Sequence, residues 1–119
     1  MTDCLFCRMV AGEIPADVVH STDRVLAFRD INPQAPTHVL VVPKDHHPTV
    51  AALAAADPDL LAAVVGAAHA VAVQEGLATE YDVEPGYRLV FDTGPDAQQS
   101  VFHVHGHVIG GRQMEWPPG

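Results

Sequence analysis

Hydrophobic and polar positions alternate, or β-branched residues cluster, in four runs bounded by Pro, Gly and Asp: "VLAFRDI" (25–31), "THVLVVPK" (37–44), "YRLVFDTG" (87–94) and "VFHVHGHVIG" (101–110). This period of two, closed off by turn formers, predicts strands, and "VVHST" (18–22) is a candidate fifth. A period near 3.6 governs "DPDLLAAVVGAAHAVAVQEG", where Leu60, Leu61, Val64, Ala68 and Val71 form one apolar side. Asp57 is suited to cap that segment, Pro58 to the first helical position and Gly76 to the end, so it predicts the one long helix. "DCLFCRMVAG" (3–12) predicts a short helix that Gly12 ends. Neighbouring strands with one long and one short helix predict an α+β fold on a mainly antiparallel sheet. The pattern leaves the strand order open.

Within the last strand the period of two puts His103, His105 and His107 on one face, with Val104, Gly106 and Val108 on the other against the core. One metal held by all three is awkward. At about 3.3 Å per residue the outer pair starts roughly 13 Å apart, whereas zinc takes nitrogen at about 2.0–2.1 Å. Imidazole is itself a nucleophile and a proton carrier near neutral pH. The central His105 is therefore the candidate nucleophile, and His107 the group that donates or orders a proton at a leaving group. Just upstream, "DTGPDAQQS" (92–100) is a turn-rich loop whose backbone N–H groups and Ser100 hydroxyl could cup a phosphate. His20, His47 and His69 carry no assigned role.

Composition narrows the partners. A chain of 119 residues, 48% hydrophobic with seven aromatics, suits one domain over residues 1–119. A net charge of −9 opposes binding to polymeric DNA or RNA, although local amides can still hold a small anion. Met1 to Ala11 lacks the basic start and apolar core of a secretory signal, and no apolar run reaches the roughly 18 residues of a membrane span. The expectation is a cytoplasmic protein without membrane contact.

The segments "CLFCRMVAGEIPADVV", "RVLAFRDINPQAPTHVLVVPKDH" and "QQSVFHVHGHVIGGRQMEWPPG" together resemble the histidine-triad (HIT) nucleotide hydrolases and transferases, most closely the Hint branch. The resemblance spans nearly the whole chain. It implies the HIT fold, a five-stranded antiparallel sheet carrying helices that pairs with a second copy into a ten-stranded sheet, hence a homodimer. It also implies hydrolysis of purine nucleoside phosphoramidates, such as adenosine phosphoramidate or aminoacyl and lysyl conjugates of AMP, through a nucleotidyl-histidine intermediate. Hydrolysis of dinucleoside polyphosphates, or non-catalytic nucleotide binding on a zinc-stabilised fold, are the alternatives. His107 argues against the transferase branches, which usually carry Gln there.

By position in the motifs, His105 resembles the nucleophile, with His107 beside the phosphate and His38 and His103 completing the relay. Asp30 resembles the ribose acceptor, and Phe6, Ile14, Phe28 and Ile31 resemble the walls around the base. Ser100 and the amides near Gln98 and Gln99 would hold the phosphate. Trp116 resembles a residue that reaches the partner's site. No cofactor is implied for catalysis.

Departures from the branch carry expectations of their own. Asp92 stands where Asn is usual, bringing negative charge toward the phosphate at a cost in binding unless the carboxyl is protonated or turned away. Ala97 and Gln98 replace a Gly pair, which predicts a less permissive loop. Gly106 replaces a larger apolar residue, which predicts a loosened back face. Cys4 and Cys7 form a C-x-x-C that fits free thiols, a redox pair or a metal site. In some bacterial relatives such a pair completes a structural zinc site with the histidines matching His46 and His103, four ligands suited to tetrahedral zinc.

Overall fold

The computed structural model describes residues 3–119. Its elements in chain order are α1 (Leu5–Val10), β1 (Val18–Ser21), β2 (Val25–Arg29), β3 (Thr37–Pro43), α2 (Val50–Ala56), α3 (Pro58–Gln74), β4 (Tyr87–Phe91) and β5 (Gly106–Gly110). The strands form one five-stranded sheet in the order β1-β2-β3-β5-β4, antiparallel throughout. All five expected strands are present, and β3, buried along its whole length, lies at the centre.

The pleat divides the core into two layers. Val25, Ala27, Val39, Val41 and Val108 point to one side, where Leu60, Val64, Ala68 and Val71 of α3 cover them. Leu26, Phe28, Leu40 and Val42 point to the other, where Phe6 of α1 packs. The second face is only partly covered, because α1 has six residues against seventeen in α3. That open part holds the site described below.

Both expected helices carry the anticipated end signals. Asp57 accepts the Leu60 N–H at 3.1 Å, Pro58 opens α3, and Gly76 takes the left-handed φ of 78° that lets the chain leave the helix. At α1 the cap is the sulfur of Cys4, which accepts the Cys7 N–H at 3.3 Å.

Three features differ from the sequence reading. A third helix, α2, precedes α3; it is capped by Thr49 and anchored by the fully buried Leu53. The last strand begins only at Gly106, so His103 and His105 lie ahead of it and the three histidines do not share a strand face. Gly106 does not loosen the sheet either. A Cβ there would stand 2.8 Å from Leu89 Cδ1 and 3.1 Å from Phe91 Cζ, so neighbouring side chains already fill the space. Among the described residues, no helix is long and apolar enough to cross a membrane.

Leu53 tests the missed helix. If α2 packs as described, Leu53→Ala leaves a cavity under it and lowers stability by about 2–5 kcal/mol in a denaturant titration. A loss below about 0.5 kcal/mol, typical of a surface position, would show that α2 is not docked.

Candidate functional site

Sheet register alone brings four polar side chains into a row. On β3 and β5, Leu40 pairs with His107 and His38 with Ile109, so His38 and His107 are diagonal neighbours on one face. Val90 pairs with His107, and Asp92, the residue just past the end of β4, lies on the other side of His107. Asp30 follows β2 and donates its N–H to the His38 carbonyl at 3.0 Å. The row runs Asp30 Oδ2 to His38 Nε2 at 3.4 Å, His38 Nε2 to His107 Nδ1 at 2.9 Å, and His107 Nε2 to Asp92 Oδ2 at 3.3 Å.

The hydrogen bonds assign the protons of this row. The Gln34 backbone N–H donates to His38 Nδ1 at 3.0 Å, so neutral His38 carries its proton on Nε2. That proton faces His107 Nδ1, which accepts it and leaves the His107 proton on Nε2. Although Asp92 is close, it lies off the N–H direction: His107 Nε2 is buried and has no hydrogen-bond partner among the described residues. A buried donor without an acceptor is costly and is a place where a ligand atom fits.

His105 is fixed from the other direction. The chain bends so that His105 Nδ1 donates to the backbone carbonyl of His103 at 2.8 Å. Neutral His105 therefore keeps its lone pair on Nε2. Its ring meets Phe6 edge-on with centroids 4.9 Å apart and lies 4.9 Å from the His107 ring.

His105 and His107 border a cavity of about 690 Å³, within the size range of small-molecule sites. Phe6, Phe28, Asp30, Ile31, Asp92, Gln98 and Ser100, all singled out from the sequence, line it. Ile31 is almost fully exposed at the rim, and Asp30 already accepts the Asn32 N–H at 2.8 Å on Oδ1. His38 sits behind His107 and does not line the cavity. Leu5, Met9, Pro15, Ala16, Leu40 and Val101 also line the wall; as isolated apolar residues they gave no signal distinct from core.

Four further positions singled out from the sequence do not line this chain's cavity, Trp116 among them in keeping with its expected place at a partner's site. Ile14 is partly buried and does not line the cavity, although Pro15 and Ala16 beside it do. Gln99 turns into the loop, where Oε1 accepts the Gly94 N–H at 3.0 Å and Nε2 donates to the Pro48 carbonyl at 2.8 Å. The amides expected to cradle phosphate are engaged too, with Gln98 N–H on Pro95 O at 3.0 Å and Gln99 N–H on Gly94 O at 3.1 Å. Gln98 sits at φ 66°, the left-handed region that suits the glycine it replaces. Trp116 is 82% exposed, away from this chain's cavity and beside Arg88. His103 is fully buried and also does not line the cavity.

His103 instead joins a second cluster. Its Nε2 donates to the Pro43 carbonyl at 2.7 Å, which leaves the Nδ1 lone pair facing Cys4 Sγ at 3.3 Å, Cys7 Sγ at 3.4 Å and His46 Nδ1 at 3.2 Å. Cys7 Sγ is also 3.4 Å from His46 Nδ1. A tetrahedron with zinc–nitrogen and zinc–sulfur bonds of about 2.0–2.3 Å has edges of roughly 3.3–3.8 Å, so these separations fit zinc. Burial, followed by the hydrogen bond and charge of Cys4, pushes the Cys7 thiol up to about 11 without a cation. A bound metal would reverse that balance by favouring thiolate.

An antiparallel sheet backed by α3 on one face, with paired histidines lining a cavity on the other, defines a histidine-lined α+β fold. The sequence profile of the HIT domain family matches residues 11–114. A "14 kDa zinc-binding protein" of Zea mays is 48% identical over 118 residues, covering 97% of this chain and 87% of that one. An adenylylsulfatase of Arabidopsis thaliana is 45% identical over 117 residues, covering 97% and 76%. Among solved structures, a HIT family hydrolase from Legionella pneumophila Philadelphia 1 superposes with a TM-score of 0.90 at 50% identity, covering 98% of this chain and 100% of that one. The chain belongs to the HIT family, and these similarities place it with the Hint branch.

Burial sets a pH dependence for the metal-free protein. Desolvation is the largest cause holding His103 and His107 below the ordinary histidine value of 6.5, with neighbouring histidines adding to it. The folded state therefore takes up protons less readily than the unfolded chain, so the stability these rings contribute is present above the unfolded pKa and lost as pH falls below it. With chelator present, the thermal midpoint should fall between about pH 7.5 and about pH 5.5. A midpoint that holds or rises across that interval would contradict the protonation states assigned here.

Proposed function

We propose that this protein is a nucleoside phosphoramidase of the Hint type, hydrolysing purine nucleoside monophosphates joined through phosphorus to an amine. One observation carries the reading: His105, whose Nε2 is unprotonated in the neutral ring, and His107, whose Nε2–H has no hydrogen-bond partner among the described residues, line the same cavity. His105 Nε2 attacks the α-phosphorus and the P–N bond breaks, its electron pair going to nitrogen, which is protonated as it leaves. His107 Nε2–H passes or orders that proton, and His38 keeps His107 in the tautomer that can do so. The carbonyl of His103 accepts the Nδ1–H of the nucleotidyl-imidazolium, stabilising its charge. Water then cleaves the new P–N bond, releasing the monophosphate and neutral His105.

Phe6 and Phe28, edge to face with centroids 5.4 Å apart, supply an apolar wall for a purine, with Ile31 at its rim. The Asp30 carboxylate is the acceptor for the ribose hydroxyls, and Ser100 is the hydroxyl for the phosphate. The name of the Legionella protein supports hydrolysis, and that of the Arabidopsis protein supports an adenylyl substrate. Pairing of two copies into a ten-stranded sheet would bring the exposed Trp116 toward the partner's site.

The reaction is tested with an adenosine phosphoramidate. Wild type should release the monophosphate with or without chelator, and His105→Asn should fold but lose at least about a thousandfold in kcat/KM, the scale of removing a catalytic nucleophile. A folded variant that retains most of the activity would remove His105 from the nucleophilic role.

We further propose that Cys4, Cys7, His46 and His103 hold one structural zinc ion, which when bound supplies a rigid crosslink between the N-terminal helix and the histidine segment. The donor set and its separations support this, as does the name of the Zea mays relative. Protein purified with zinc should contain about one ion per chain and lose thermal stability on chelation. Cys4→Ser/Cys7→Ser should contain none and respond little to chelator. Wild type without zinc under these conditions would leave the four side chains as an ordinary polar cluster.

A further inference from the structure

The cavity is short of positive charge where a phosphate would sit. Its one arginine, Arg29, is committed: the guanidinium bonds Glu75 at 2.6 Å and 3.2 Å and lies 3.9 Å from Asp17. Among the described residues no other Lys or Arg lines the cavity, whereas Asp17, Asp30 and Asp92 do. The Asp92 carboxylate lies 3.3 Å from His107 Nε2, the nitrogen that faces the leaving group in the proposed reaction. It makes no aligned hydrogen bond with that nitrogen, so its charge is not consumed by the histidine.

Any atom that accepts the His107 Nε2–H must lie about 2.9 Å from the nitrogen. It is therefore at most about 6 Å from Asp92 Oδ2, by adding that hydrogen bond to the separation of 3.3 Å. At that range, in a partly enclosed site, one further negative charge on the ligand is strongly disfavoured. A protonated amine is drawn in, and its N–H groups can be accepted by the same carboxylate.

We infer that Asp92 is a specificity-determining residue that selects the charge of the leaving group, favouring neutral and cationic amines over anionic groups such as sulfate or phosphate on the same nucleotidyl moiety. The inference rests on the nucleotidyl reading above and narrows its substrate class. It sets this chain apart in preference from the adenylylsulfatase relative. The monophosphate product, a dianion near neutral pH, is also disfavoured relative to a monoanionic substrate, which assists its release.

The test compares wild type with Asp92→Asn, which keeps the shape and removes the charge. Two substrates share the adenosine phosphate and differ in leaving group: a diamine phosphoramidate, whose second nitrogen is an ammonium, and adenylyl sulfate. The kcat/KM ratio of amine to sulfate should fall about tenfold or more in the variant, the scale of one charge at such a distance. In parallel, calorimetry compares adenosine monophosphate with its methyl phosphodiester, which carries one negative charge fewer. The variant should gain about tenfold in affinity for the monophosphate and much less for the diester. Both ratios unchanged, with substrates turned over and ligands bound, would overturn the role of Asp92 and leave the phosphoramidase reading standing. Ligands that neither bind nor react with wild type would overturn the nucleotidyl reading, and this inference with it.

Discussion

The hydrogen bond of 2.8 Å from His105 Nδ1 to the His103 carbonyl is the constraint on which the site depends. A free imidazole exchanges its proton between two nitrogens, and only the bare one can attack phosphorus. By occupying Nδ1 with a carbonyl two residues back, the chain assigns the lone pair to Nε2. That bond requires the backbone to bend, which is why β5 starts at Gly106 and not at Val101. The bend also separates the two histidines. His105 stays beside the cavity while the His103 ring goes into the interior, where Pro43 O takes its Nε2–H and Nδ1 faces the cysteines.

Beyond the bend, the β-sheet lattice takes over. His38 and His107 sit on adjacent strands at diagonal positions, and Asp92 follows directly on the end of β4, so all three are close enough for contact. The proton assignment starts at the Gln34 backbone amide and passes through His38 to His107. Burial keeps His107 neutral, since a charged imidazole there would be desolvated and would face His105. The result is a neutral donor beside a cavity whose lining carries three carboxylates and one arginine.

Much of this architecture was legible because it is periodic or capped. The strands follow from alternation, and α3 follows from its stripe together with Asp57, Pro58 and Gly76. The helix α2 was not, since "VAALAAA" buries Leu53 alone and presents no stripe to read. Asp92 and Ser100 stood out in the loop between the last strands, but the sequence could not say that Gln99 would spend its side chain tying that loop to Pro48. The expected single face of histidines failed for a local reason: a side-chain bond to the backbone two residues earlier competes with the β-ladder and leaves no periodic trace. The meeting of Cys4 and Cys7 with His46 and His103 came only from resemblance, because contacts between residues nearly a hundred positions apart have no signature in spacing.

The two clusters are parts of one assembly. The sulfur of Cys4 caps α1, and the same six-residue helix carries Phe6 into the cavity wall. Phe6 touches Phe28 on the sheet side and meets both His103 and His105 edge-on. A helix that short is not stable by itself. It is held by packing of Phe6 on the second core layer and by the contacts of Cys4 and Cys7 with His103 and His46. Whatever secures those four side chains therefore secures the wall against which a base would stack, and through the backbone of His103 it also holds the acceptor that fixes His105. Shape at the apolar end of the cavity and proton placement at its polar end follow from the same few residues at the start of the chain meeting the bend before β5.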